Sequence, residues 1–160
     1  MKRVSGILDI LDKLVGFLIV ILLAGIWVGL FYQVVMRYVF NRPPVWTEEL
    51  CMSMMIWVTF LGIGYGVRHR MHIRMNSIIK NFPRKVQQVV ALALNIVIAV
   101  VVVMLIPYAW EYFIQRSGVI STTMKVSLGI VYVCVPIGYV YLLLNLVVDS
   151  IRVIKGDIPE

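Results

Sequence analysis

Four apolar runs limit what this chain can fold into: Leu14 to Met36, Leu50 to Val67, Val86 to Trp110 and Ser127 to Val148. A helix crossing a bilayer needs about 20 mainly apolar residues, because the hydrocarbon core is about 30 Å thick and each helical residue advances about 1.5 Å. Each run approaches or exceeds that length. Composition agrees: 61% of the 160 residues are hydrophobic and 14% charged, whereas a soluble domain has about 45–50% apolar and about 25% charged residues. Disordered, coiled-coil and ordinary globular chains are excluded. The sequence predicts an all-α integral membrane protein, one membrane domain over residues 1–160 with transmembrane helices near 14–36, 47–67, 86–110 and 127–148. Too little chain is left over for a soluble domain, and neither a P-loop nor a dinucleotide fingerprint is present. Substrate capture or nucleotide hydrolysis is expected to belong to another chain.

The formal charge of +7 does not point to nucleic acid, whose binders gather Lys and Arg on a solvated face. Here eleven of the 15 cations flank the runs on one side: Lys2, Arg3 and Lys13 at the N-terminus, Arg68, Arg70, Arg74, Lys80, Arg84 and Lys85 between runs two and three, and Arg152 and Lys155 at the C-terminus. Arg37, Arg42, Arg116 and Lys125 lie on the other. Because cytoplasmic loops carry the excess of Lys and Arg, both termini and the middle loop are expected inside, as an even number of spans requires. The first run is read as a retained helix: it exceeds the apolar core of a cleaved signal, and RYVFNRPP follows it where small residues would mark cleavage.

The middle loop, RHRMHIRMNSIIKNFPRK, spaces Ile73, Met75, Ile78, Ile79 and Phe82 among cations. That pattern predicts a short interfacial amphipathic segment between helices 2 and 3, its cations on lipid headgroups. GILDILDKL is amphipathic at a helical period and is expected to extend the first helix. Thr47 can cap the second helix, with Glu48 and Glu49 in a first turn where the helix dipole favours acids; those acids are equally suited to touching a partner. Pro107 and Pro136 each remove a helix donor and predict local kinks.

A self-contained transporter keeps ionisable groups near the membrane midplane only where function needs them. The first, second and fourth runs have none between their ends, and Asn95 is the most polar interior residue of the third. Gln33, Ser53, Thr59, Asn95 and Asn145 are expected to join helices by hydrogen bonds. His69 and His72 are three apart in the basic loop, which suits neither a haem between helices nor a zinc site. Cys51 and Cys134 read as small packing residues. No cofactor, metal site or enzymatic activity is expected. Gly25 with Gly29, and Gly62 with Gly66, are small pairs four apart that let helix backbones approach closely.

RYVFNRPPVWTEEL, FLGIGYGVRHRMHI, NFPRKVQ and STTMKVSLGIVYVCVPIGYVYLLLNL together resemble the DctQ-type small membrane subunit of tripartite ATP-independent periplasmic (TRAP) transporters. The resemblance runs from about Ile7 to Ser150 and is most specific over Arg37 to Glu49 and Arg68 to Ile73. One departure is Arg74, Met75 and Asn76 after the His-Ile pair, where family members often carry an acid. The resemblance implies a non-catalytic subunit of the bacterial inner membrane. It would pack on the scaffold of a large multi-spanning subunit that carries the substrate and sodium sites, and help form the docking face for a periplasmic binding protein that captures a small organic acid. Arg37, Arg42, Trp46, Glu48 and Glu49 become candidate contacts to these partners. The competing reading is a self-sufficient four-helix exporter acting as a dimer; the missing midplane carboxylate disfavours it.

Overall fold

The computed structural model describes residues 2–42, 44–69 and 84–154. They form five helices: α1 (Lys2–Tyr38), α2 (Val45–Arg68), α3 (Arg84–Ser117), the short α4 (Leu128–Tyr132) and α5 (Cys134–Ile154). Four stretches are long and apolar enough to span a membrane: Asp9–Tyr38, Val45–Arg68, Val86–Ser117 and Leu128–Ile154. The helices outrun the apolar runs at most ends because apolar residues mark the part in hydrocarbon, while backbone hydrogen bonding continues into amphipathic flanks. GILDILDKL is accordingly the first part of α1. The proposed interfacial segment lies almost wholly outside the described residues, and with it Arg70, Arg74 and Lys80. Arg84 and Lys85 open α3, their side chains outside the description.

Between α1 and α2 the chain reverses through Asn41, whose φ of 51° is the left-handed conformation that asparagine tolerates. The Arg42 N–H donates back to the Met36 carbonyl at 3.1 Å. α2 then starts at Val45 behind an extended Pro44, two residues before the expected cap. Thr47 is therefore not the N-cap: inside the first turn, its hydroxyl donates to the Pro44 carbonyl at 2.6 Å. α3 continues through an exposed Pro107. The fourth run does break, at Val133 between α4 and α5. Pro136 explains it: a proline has no N–H to give the carbonyl of Tyr132, four residues back.

The helices pack in an open row, α1 against α2, α2 against α5 and α5 against α3. Of the most apolar part of each span, none is buried in the first, 22% in the second, 6% in the third and 39% in the last. The two outer helices thus have few fully buried residues, and the small internal core, Val67, Val102, Leu142 and Leu146, lies where α2, α3 and α5 meet. Neighbours along the row run antiparallel or parallel as an up-and-down chain dictates. Asp9 meets Arg68 and Gly29 meets Cys51 across α1 and α2, while Phe60 and Gly64 meet Gly138 and Tyr141 across α2 and α5. One end of the row, here the terminal end, therefore holds the start of α1 and the close of α2 and α5. The loop end holds the connections around residues 39–44 and 118–127.

Glycine decides the closest approaches. A Cβ on Gly29 would stand 2.9 Å from the Cys51 sulfur, and one on Gly25 3.2 Å from the Met54 sulfur, so this pair faces α2 inside the chain. Gly62 has open space around it and Gly66 is half-buried. The tight α2–α5 contact instead uses Gly64, against the Tyr141 ring, and Gly138, whose Cβ would fall 2.8 Å from the Phe60 carbonyl.

Candidate functional site

The loop end is ordered by hydroxyls around one carboxylate. After α3 the chain folds back as a compact hairpin: Ser121 N–H donates to Val126 O at 2.9 Å, and Leu128 N–H to Val119 O at 2.9 Å. Lys125 takes the left-handed conformation that closes it. The Ser121 hydroxyl accepts from the Thr123 and Met124 amides at 3.2 and 3.1 Å. Ser127 donates to Ser117 O and accepts from Gly129 N–H, capping α4. The Thr123 hydroxyl donates to the Glu49 carboxylate, stapling this hairpin to the first turn of α2.

The sequence-derived contact residues at this end therefore separate. Glu49 is half-buried and engaged within the chain. Glu48 lies in the first turn of α2 and is exposed. Trp46 rests on Tyr32 of α1 with ring centroids 6.2 Å apart and stays 44% exposed. Arg37 and Arg42 are exposed. Among the described residues the ion pairs belong to Arg68, with Asp9 and Asp12, so Arg37 does not pair with Glu48 or Glu49. Beside Glu49 lies an apolar groove of about 360 Å³, walled by Leu18 and Leu22 of α1, Met54 and Trp57 of α2, Val126 of the hairpin and Ile130 of α4.

The terminal end carries a charge cluster that the apolar pattern did not reveal. Asp9 and Asp12 lie three apart on α1 and so share a face. The Arg68 guanidinium, at the last residue of α2, spans them, Nη2 on Asp9 and Nε on Asp12. Asp12 also accepts from the Tyr141 hydroxyl of α5. The Arg68 side chain is 4% exposed, that of Asp12 7% and that of Asp9 59%, so Asp12 is the inner partner and Asp9 the outer one. Arg68 is thus placed inside the protein and not on lipid headgroups, because the two carboxylates of α1 reach it first. Arg68 Nη1 and Asn145 Oδ1 are buried with no hydrogen-bond partner.

Nearby, Asn95 of α3 donates to Asp149 and Ser150 of α5 at 3.1 and 3.2 Å, the interhelical joint expected of it. Ser53, Thr59 and Asn145 bond back four residues to carbonyls of their own helices. Cys51 and Cys134 are buried free thiols.

Residues 26–156 match the family described as tripartite ATP-independent periplasmic transporters, DctQ component. The chain belongs to that family. It is accordingly a multi-pass inner-membrane component of a transporter and not an enzyme. Among its relatives is the ectoine TRAP transporter small permease protein TeaB of Halomonas elongata, 29% identical over 140 residues, which are 84% of this chain and 72% of that protein. The C4-dicarboxylate TRAP transporter small permease protein DctQ of Vibrio cholerae is 26% identical over 102 residues, 64% of this chain and 44% of the relative. The sialic acid TRAP transporter permease protein SiaT of Haemophilus influenzae is 24% identical over 127 residues. Those residues are 79% of this DctQ-family chain but 20% of SiaT, so the shared segment is a minor part of a far longer permease.

Sequence reasoning placed the acids of α1 at the membrane surface and Arg68 in the basic loop, and so missed their joining. The usable signal was Asp9 and Asp12 one turn apart on an amphipathic start, opposite the one cation that ends the second run.

Proposed function

We propose that this chain is the non-catalytic small permease subunit of a sodium-driven, binding-protein-dependent TRAP transporter for a small organic acid. It packs on the scaffold of a large membrane subunit and helps form the outer face on which a periplasmic binding protein docks, with both termini and the middle loop in the cytoplasm. The observation that carries this reading is the open row: among the described residues four long helices pack side by side, and the most apolar parts of the outer two have few fully buried residues. Such a layer suits a wall against another protein better than a carrier. The relatives' stated substrates, ectoine, C4-dicarboxylate and sialic acid, differ among proteins that share this chain's sequence pattern. That fits a subunit that does not itself read the substrate. SiaT, in which the shared segment is part of a larger permease, supports a lasting contact with a large partner.

The exporter reading needs a carboxylate exposed to a path through the membrane. Asp12 is buried, but it is held by Arg68 and Tyr141 near one end of the row. The deciding experiment is uptake by vesicles containing the large subunit and the binding protein, with and without this chain, under a sodium gradient and across candidate carboxylates. Uptake of one acid that depends on both the gradient and this chain is expected. Transport of a solute or a proton by this chain alone would overturn the proposal. The docking role has a narrower check: Glu48→Lys should weaken binding-protein coupling, since Glu48 is exposed in the first turn of α2.

A further inference from the structure

α1 touches the rest of the row mainly along α2, and the contact is smooth: Gly16 under the Tyr65 ring, Gly25 against Met54, Gly29 against Cys51. Small residues allow close approach but define position along the axis poorly, because one glycine can replace another as helices slide. Side chains such as Ile19, Leu22 and Ile26 are only half-buried, and none of the most apolar stretch of α1 is fully buried, so apolar packing sets its axial position loosely. The directional contacts at its start are those of Asp9 and Asp12 to Arg68 and of Asp12 to Tyr141. They join α1 to α2 through one guanidinium that is all but fully buried, and α1 to α5 through the Asp12 carboxylate, which accepts from Tyr141; a planar guanidinium holds two carboxylates in a defined geometry where an ammonium would not.

We propose that Arg68 and Asp12 together form a three-helix charge lock that sets the axial register of α1 against α2 and α5, and so fixes which face of α1 the row presents. The lock is a property of this chain and stands whether or not the subunit reading holds. Its energetic logic is asymmetric: Asp12, 7% exposed, cannot stay charged and buried without Arg68, whereas removing all three charges together leaves no buried charge unpaired.

Register is readable with a native thiol. A cysteine at Gly29 places its Cβ 2.9 Å from the Cys51 sulfur, a spacing a disulfide can close, whereas a cysteine at Gly25 sits about one helical turn, ~5.4 Å, away. In full-length chain in membrane vesicles, with Cys134→Ser, copper-phenanthroline should link Gly29→Cys to Cys51 at least tenfold faster than Gly25→Cys. Asp9→Asn, Asp12→Asn and Arg68→Met combined should reduce that preference below threefold by freeing α1 to slide. Tyr141→Phe, which keeps all three charges and removes one bond, should reduce it at least twofold and decides the matter if the triple variant does not insert. A preference unchanged in the triple variant, or unchanged in Tyr141→Phe when that variant alone can be read, overturns the lock.

Discussion

At the scale of single residues, the glycines of α2 and α5 are not equivalent. Gly138 meets the Phe60 carbonyl and Gly64 meets Tyr141, so an added methyl presses on backbone in the first case and on a packed ring in the second. Overpacking of this kind costs about 1–3 kcal/mol. Gly138→Ala should destabilise the protein in detergent by that amount, and Gly64→Ala somewhat less if the Tyr141 ring gives way. Gly62→Ala, in open space, should be neutral or stabilising by up to about 1 kcal/mol through helix propensity. Thermal unfolding of the three variants side by side checks the order. Asn145 offers a second case. Its Nδ2 donates to the Tyr141 carbonyl at 3.1 Å, but its Oδ1 is buried without a partner. One neutral hydrogen bond contributes about 1 kcal/mol, and an orphaned buried acceptor costs about 1–3 kcal/mol. Asn145→Leu should leave the melting temperature unchanged or raise it. The sequence announced both kinds of residue without their environment: four-residue glycine spacing marks a helix that can be approached, but which glycine is approached depends on how α2 rotates toward α5.

At the scale of elements, the spans were legible because about 20 apolar residues have few other uses, and the break near Pro136 because a missing N–H is a chemical fact. What the ends touch was not. The amphipathic opening of α1 extends the helix as its period predicts, but its Asp9 meets Arg68, 59 residues away in sequence, a pairing that no local pattern encodes. Glu49 shows the same limit. From sequence it was equally a helix-turn acid or a partner contact, whereas in the fold it receives the Thr123 hydroxyl and pins the hairpin before α4. That joint makes a prediction at this scale. A hydrogen bond to a charged group is worth about 1.5–3 kcal/mol net when shielded and less when exposed, and this one is largely exposed. Glu49→Ala should therefore loosen the hairpin, with roughly a fivefold rise in its open fraction. Trypsin should cleave after Lys125 about fivefold faster in Glu49→Ala and in Thr123→Val. Glu48→Ala, one residue away and exposed, should leave the cleavage rate as it is.

At the scale of the whole molecule, the row poses the question of which broad face meets protein and which meets lipid. The outer helices differ in a way that bears on it. α3 exposes mainly aliphatic residues along its middle, among them Val97, Val101 and Met104, whereas α1 exposes Trp27 at 74% and Phe31 at 72%. Tryptophan in a membrane helix favours the headgroup level, where its ring is amphipathic, but Trp27 stands about 14 Å inside the end of the apolar run at 1.5 Å per residue. Hydrocarbon gains little from an indole N–H at that depth, whereas aromatic side chains are enriched at protein interfaces. Trp27 and Phe31 are also one turn apart, on one face of α1, the helix whose position the Arg68 lock would set. If the chain works against a large permease subunit, this is the face expected to touch it. Trp27→Ala with Phe31→Ala should then cut co-purification of the large subunit about tenfold or more while the isolated chain keeps its melting temperature, since neither side chain is buried within it. Val97→Ala with Val101→Ala, the matched pair on α3, should leave co-purification within about twofold. The reverse result would place the partner on α3 and leave the aromatic face of α1 to lipid.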